Sequence, residues 1–263
     1  MSEDLERARA LLAGARLGVP LHVLAQTGST NDDAKAGAKD GAPHGAVWIA
    51  EEQSAGRGRQ GRTWSAARGE SLLFSVLLRL ACPPANVPLV SLVAGLAVRD
   101  AVARATGAEV LVKWPNDVVV RTAEGDRKIA GILVESSLMG ARVEHVVVGV
   151  GLNVHTRDFP PEIAQIATSV ALAGGKPDRA SILVDVLAGL DRDAELVAHR
   201  GLASVHDRLV AVDSLRNKLL EGVDDSLTGH GAGIDLDGRL LVRQADESIV
   251  KVASGEVRVR PVG

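Results

Sequence analysis

Four strings of residues have types and spacing that could do chemistry. The first, Gly56-Arg57-Gly58-Arg59-Gln60-Gly61-Arg62, sets three arginines among three glycines. Glycine amides can curl into a nest around an anion, and planar guanidinium forks grip carboxylate or phosphate oxygens in pairs. The chemistry this suits is the holding of a phosphate or a carboxylate. A solvated basic loop, or an arginine-glycine segment that binds RNA weakly, has the same composition, so the loop alone leaves these alternatives open. Its spacing is not that of a Walker A loop, which ends in Gly-Lys-Ser/Thr. It also lacks the strand running straight into a helix that a GxGxxG dinucleotide fold needs. P-loop and Rossmann readings are therefore excluded.

Lys113-Trp114-Pro115-Asn116-Asp117 ends a buried strand with a lysine and an aromatic, then restrains the chain with proline and projects Asn and Asp at a turn. Lys128-Ile129-Ala130-Gly131-Ile132-Leu133-Val134-Glu135 opens a strand with a lysine and places a glycine three residues on, where bare backbone can meet a ligand. Val148-Gly149-Val150-Gly151-Leu152-Asn153-Val154 alternates glycines inside a β-branched strand, which weakens it unless something packs closely on that face. Each has a plain structural alternative: a strand end, a solvent-facing lysine, a turn. Taken singly, none identifies a function. Seven histidines lie scattered without HxH or HExxH spacing and read as surface or structural residues, so no protein metal site is expected. Asp224-Asp225 reads as a solvated turn.

Positioning these strings requires a frame. LHVLAQT (21–27) has strand character, and Ser29 or Thr30 ahead of Asn31, Asp32 and Asp33 offers a helix N-cap with acids in the first turn. AVWIAEEQ reads as a strand, SAGRGRQGRTW as a loop without helical or strand period, and SLLFSVLLRL as a buried strand. VPLVSLVAGLAVRDAVARATG has the length, alanine content and closing Gly107 of a buried helix. Three strand-like stretches follow, VLVKWPNDVVV, KIAGILVESS and VEHVVVGVGLNV, as a mixed-sheet meander, the first two joined by the turn TAEGDR. DRASILVDVLAGLDRDAELVAHR has helical period. Beyond it, short β-like runs punctuated by Gly and Asp indicate a small C-terminal β domain. The division is 1–210 and 211–263.

Composition narrows the function classes. With 46% hydrophobic and 24% charged residues, the 263-residue chain is globular and large enough to build its core unaided. Two Phe, three Trp and no Tyr leave no base-stacking platform, and a net charge of -3 gives no basic footprint for nucleic acid. Cys82, the only cysteine, excludes an intramolecular disulfide and fits a reducing cytoplasm. The N-terminal residues intersperse charges as no signal peptide does. No run approaches the roughly 18 apolar residues of a membrane span, so no membrane partner is expected.

Taken together, Ser29-Thr30-Asn31, EEQSAGRGRQGRTW (51–64), KWPND (113–117), KIAGILVE (128–135) and GVGLNV (149–154) closely resemble the catalytic domain of biotin protein ligases. GAGIDLDGRLLV resembles that family's small C-terminal domain, whereas 211–228 match it poorly. The resemblance implies an α+β fold: a mixed β-sheet catalytic domain of the class II synthetase-like, biotin/lipoate ligase type with helices on one side, plus a C-terminal SH3-like β-barrel. It implies activation of biotin with ATP and Mg²⁺ to biotinyl-5′-AMP, without a permanently bound cofactor. The biotinyl group would then pass to a lysine of the biotin carboxyl carrier domain of acetyl-CoA carboxylase or a related carboxylase. Only 28 residues precede Ser29, too few for a winged helix-turn-helix, so the expected type is monofunctional, cytoplasmic and without DNA.

By the same resemblance, Lys128 and Arg59 are the catalytic cations. Ser29, Thr30, Asn31, Gln53, Gly56, Arg57, Gly58, Arg59, Lys128, Gly131 and Leu133 would bind biotin. Arg57, Arg59, Trp64, Lys113, Asn116 and Asn153 would lie on the ATP side. The loop is expected to be mobile before ligand arrives, because clustered arginines repel and glycines are costly to order. A lipoate ligase or octanoyl transferase shares the broad fold but not GRGRQGR with KWPND. A non-catalytic regulator or an RNA binder would need a DNA-binding domain or an extended basic surface.

Overall fold

The computed structural model describes residues 3–222, 227–253, 255 and 257–259. The pair Asp224-Asp225 lies outside them. Seven strands, β1 (Leu21–Leu24), β2 (Val47–Ala50), β3 (Ser71–Leu78), β4 (Val110–Lys113), β5 (Asp117–Thr122), β6 (Gly125–Met139) and β7 (Arg142–Asn153), form one sheet in the order β1-β2-β3-β7-β6-β5-β4. β1 and β2 run parallel and the other neighbours antiparallel, so the sheet is mixed. The run expected as one strand, VLVKWPNDVVV, is a hairpin: Lys113 pairs with Asp117 across Trp114-Pro115-Asn116. Proline has no N–H for a ladder, and the chain turns at it.

Strand alternation divides the sheet into two faces. Leu72, Phe74 and Val76 of β3, with Val146, Val148 and Val150 of β7, enter the main core. That face is covered by α3 (Val87–Thr106) and α4 (Arg179–Arg200), with α1 (Glu3–Leu11) against α4. Contrary to the sequence expectation, α3 is long and apolar enough to meet the composition of a membrane span. Its Val90, Val93, Leu96, Val98 and Val102 are enclosed, as befits a helix with apolar residues all round lying between a sheet and another helix. It ends as expected at Gly107, φ +69°, whose N–H donates to the Ala103 carbonyl.

Helix α2 (Thr30–Lys39) lies on the opposite face, so the expectation of helices on one side is corrected. Ala34 and Ala38 seat it against Trp48, Leu77 and Val147. A Cβ at Gly37 would stand 2.1 Å from the Trp48 ring, so this close seating depends on small residues. The candidate site occupies this second face.

After α5 (His206–Ala211), residues 212–214 add to the free edge of β4: the Val112 N–H donates to Val212 O at 2.8 Å and the Ser214 N–H to Val112 O at 2.9 Å. Strands β8 (Leu219–Gly222), β9 (Thr228–Ile234), β10 (Leu240–Arg243), β11 (Ile249–Val252) and β12 (Val257–Val259) then form an antiparallel sheet ordered β11-β10-β9-β8-β12. Among the described residues no pairing closes it into the expected barrel. Trp114 fastens the two parts together, its indole N–H donating to Gly238 O at 2.9 Å.

Candidate active site

The floor of the site is made of glycines. Gly131 on β6 faces Gly151 on β7 in register, and Gly149 sits two residues away on the same face. A Cβ at Gly149 would come within 2.1 Å of Asn31 Oδ1, and one at Gly151 within 2.5 Å of the Trp64 ring. The close packing that alternating glycines call for is thus present, and it comes from α2 and from the end of the arginine loop. A cleft of about 1010 Å³, its open mouth included, lies over this floor.

At one end stands the start of α2. Ser29 occupies the N-cap position, yet its hydroxyl makes no cap. The cap comes from across the chain: Gln53 Oε1 accepts the Thr30 N–H at 2.8 Å and lies 3.1 Å from its hydroxyl. A helix N-terminus leaves its first N–H groups unpaired, so a carboxamide oxygen is a suitable acceptor. This use of Oε1 turns the Gln53 Nε2 donor the other way. Asn31, expected to contact a ligand, lines the cleft but is 4% exposed, with both ends of its amide engaged. Its Oδ1 accepts from Ser75 Oγ at 2.6 Å and its Nδ2 donates to Glu135 Oε2 at 2.7 Å.

The arginine loop is more structured than its composition implied. It folds on itself as a small hairpin, with the Trp64 N–H donating to Gly56 O at 2.9 Å and the Gly58 N–H to Arg62 O at 2.7 Å. Gln60 and Gly61, with φ of 56° and 73°, form the tip. Gly56 does not line the cleft; a Cβ there would lie 2.4 Å from Trp64 O, so it serves the hairpin. Instead of repelling one another, Arg57 and Arg59 each have acceptors. Arg57 pairs with both oxygens of Asp32 at 2.7 and 2.8 Å and with Glu135 at 3.2 Å, and Arg59 donates to Asn116 Oδ1 at 3.2 Å. The loop therefore spans the cleft from α2 to the β4–β5 turn.

At the other end, Lys128 sits beside a β-bulge where the β5–β6 register shifts. Its backbone is clamped by residues 166–168: its N–H donates to Ile166 O at 2.7 Å, and its carbonyl accepts from the Thr168 N–H at 2.8 Å. Its amine is 2.7 Å from Asp117 Oδ1 and 5.6 Å from the centre of the Trp64 ring. The Trp64 indole N–H is buried against Gly151 and has no hydrogen-bond partner among the described residues. Asn116 is held by Ile132 from both directions, through its own Nδ2 at 3.0 Å and its carbonyl at 2.8 Å. Asn153 lies behind the cleft, its Nδ2 donating to Thr168 O at 3.0 Å, so it supports the residues that clamp Lys128.

Of the residues expected from sequence, only Gly56 and Asn153 do not line the cleft; Ser29, Thr30, Gln53, Arg57, Gly58, Arg59, Trp64, Lys113, Asn116, Lys128, Gly131 and Leu133 all do. Among the described lining residues, Arg59, Lys113 and Lys128 stand with one carboxylate, Asp117, while Arg57 is paired with Asp32 and Glu135 just outside, a bias that favours an anionic occupant. Sequence reasoning missed Ser75, Asp32, Lys35 and Glu135, and the rim supplied by Gly255 and Val257 of the second sheet. Period-two spacing from Gly131 through Leu133 reaches Glu135, and a lone serine in the apolar run SLLFSVLL was a further signal.

Beside the cleft, Asp32, Lys35, Arg57 and Glu135 form one ion cluster, with Lys35 2.9 Å from each acid. The Arg57 hydrogen bond holds the Asp32 carboxyl below its ordinary range. Burial works against ionisation of Glu135, but the Asn31 amide, Lys35 and Arg57 outweigh it and hold its carboxyl low as well. Among the described residues, no group of three or more His, Cys, Asp or Glu is placed to hold a metal ion.

Residues 23–153 match the model of the biotin/lipoate A/B protein ligase family, and residues 219–260 match that of the biotin protein ligase C-terminal domain. The chain is 38% identical to a biotin--[acetyl-CoA-carboxylase] ligase of Mycobacterium tuberculosis, over 98% of this chain and 96% of that protein. It is 32% identical to the bifunctional ligase/repressor BirA of Bacillus subtilis, over 88% of this chain and 71% of that protein. Among solved structures, a biotin protein ligase from Aquifex aeolicus in complex with biotin and ATP superposes with a TM-score of 0.77 at 27% identity, covering 92% of this chain and 99% of that one.

Proposed function

The chain belongs to the biotin/lipoate A/B protein ligase family, and from that premise we propose how its cleft joins biotin to ATP. It is a biotin protein ligase, ATP-dependent and AMP-forming. The observation that carries the assignment of roles is the convergence of Arg59, Lys113 and Lys128 over a glycine floor, with a polar α2 end on one side and Trp64 on the other.

Biotin enters with its ring system toward Thr30 and Gln53 and its carboxylate toward Lys128. A carboxylate oxygen attacks the α-phosphorus of ATP; the bond to the β-phosphate breaks, and pyrophosphate leaves. Two anions meet in this step, and fixed cations offset their repulsion. Lys128 supplies that charge at the reacting carboxylate, worth about 2.7 to 4 kcal/mol if typical of one transition-state donor, and Arg59 adds charge from the loop that closes over the adenylate. Lys128 is held in place by its strand, by residues 166–168 and by Asp117, contacts of the protein's own that favour a fixed position during the reaction. In the second step a lysine amine attacks the acyl carbon and AMP departs. No nucleophile from this chain is required.

Arg57, Lys113, Asn116 and Trp64 lie on the ATP side, Trp64 offering a ring face. Mg²⁺ comes as part of MgATP, where it would screen the phosphate charge. Asp117 and Asn116 provide oxygens that suit a cation held mainly by phosphates, as Mg²⁺ commonly is. The acceptor is the carrier domain of a biotin-dependent carboxylase, and the site of action is the cytoplasm. Incubating the chain with biotin, MgATP and radiolabelled pyrophosphate tests this reading. Label should return to ATP only when biotin is present, and exchange supported by lipoate but not by biotin would refute it.

A further inference from the structure

We infer that Glu135 is a positioning residue that ties the biotin end of the cleft to the arginine loop, an inference that rests on the ligase reading above. Glu135 is ionised and can only accept, so the amide group of Asn31 facing Oε2 at 2.7 Å must be Nδ2, and Asn31 Oδ1 is thereby turned toward β3. There it meets Ser75 Oγ at 2.6 Å, in a fully buried position. Ser75 has one proton, and Oδ1 can only accept it. The 2.7 Å contact between Ser75 Oγ and Thr30 Oγ1 is then carried by the threonine's proton. The Thr30 hydroxyl proton is thereby turned toward Ser75, while its backbone N–H, a donor in any case, meets Gln53 Oε1 at 2.8 Å and sets the face of that amide independently. One carboxylate thus sets the sense of a hydrogen-bond chain that ends on the hydroxyl of Thr30, at the biotin end of the cleft.

The same oxygen, Glu135 Oε2, lies 3.2 Å from Arg57 of the loop, and Oε1 lies 2.9 Å from Lys35. Glu135 is therefore where the two parts of the site meet. Such a chain is cooperative, and truncating either end leaves buried groups unsatisfied.

The test is a set of four variants, Glu135→Ala, Ser75→Ala, their double, and Glu135→Gln, each checked by thermal melting and assayed for biotin affinity by calorimetry and for the KM of MgATP. Glu135→Ala and Ser75→Ala should each weaken biotin binding about tenfold, and the double should be no more than about twofold worse than either, since both break one chain. Glu135→Gln offers an oxygen to Asn31 but no charge to Arg57 or Lys35. It should recover biotin affinity to within about threefold of the parent while the KM of MgATP stays raised, a split that general damage to the fold would not produce. Additive effects in the double variant, or parent-like biotin affinity in Glu135→Ala, would overturn the inference. A parent chain that fails to bind biotin would instead sink the ligase reading, and this one with it.

Discussion

The amine of Lys128 lies 2.7 Å from Asp117 Oδ1, so the cation expected at the reacting carboxylate is held across two neighbouring strands. Gly131 leaves room for it: a Cβ there would stand 3.2 Å from Nζ. This arrangement makes Lys128 a residue of the chemical step. Lys128→Ala should lower the single-turnover rate of biotinyl-AMP formation by about 10² to 10³, the range seen when one transition-state donor is lost, with a small change in biotin affinity. Rapid-quench measurement checks this, and a loss confined to the KM of biotin would place Lys128 in ground-state binding alone.

Arg59 differs in kind, because it reaches across the cleft from the loop to Asn116. Arg59→Gly should still form the adenylate but release it at least about tenfold faster, with labelling of lysines on bystander proteins as the visible result. Dissociation of biotinyl-AMP measured by stopped flow decides the matter; a variant that retains the intermediate like the parent would show that Arg59 is no strap.

Gly151→Ala tests the glycine floor. The new methyl would fall 2.5 Å from the Trp64 ring, which must move aside. We expect the KM of ATP to rise at least about fivefold and the fold to lose roughly 1 to 3 kcal/mol, as overpacking typically costs. Trp64 fluorescence should shift in the ligand-free variant. An unchanged spectrum with an unchanged KM would separate Trp64 from the ATP side.

The ion cluster beside the cleft predicts a pH dependence. The folded-state pKa values of Asp32 and Glu135 are held below their ordinary values, so the stability they contribute is present above the unfolded pKa and is lost as pH falls through the folded one. Between about pH 5 and pH 3 the parent should therefore lose more Tm than Asp32→Asn, which has no such charge to protonate. The difference is expected to be small, because Asp32 is half-exposed and such pairs contribute little. Equal slopes for parent and variant would show that the Asp32–Arg57 pair does not couple to folding.

Much of this was legible in the sequence because it rests on local rules. The apolar run and Gly107 announced α3, and the glycine alternation announced a crowded face. What escaped was decided between distant parts of the chain. Nothing near Thr30 says that its N–H is capped by Gln53, 23 residues on. Asn31 read as a ligand contact because its two internal partners, Ser75 and Glu135, lie 44 and 104 residues away. The loop arginines read as mutually repelling because only their own neighbours were visible, whereas the acids that pair with Arg57 stand on α2 and β6. The side of the sheet taken by α2 depended on Gly37 and Ala38 fitting over Trp48 and Leu77, a pairing no window of sequence contains.

The central claim is that this cleft activates biotin and delivers it to a protein lysine. It is tested most directly by mixing the chain with biotin, MgATP and an isolated biotin carrier domain, then weighing the carrier by mass spectrometry while AMP is counted. The account predicts one biotinyl adduct per carrier domain, one AMP per adduct, no reaction with lipoate in place of biotin, and no adduct with Lys128→Ala on the same timescale. An unmodified carrier in the presence of all three reactants, or a lipoyl adduct in place of the biotinyl one, would contradict it.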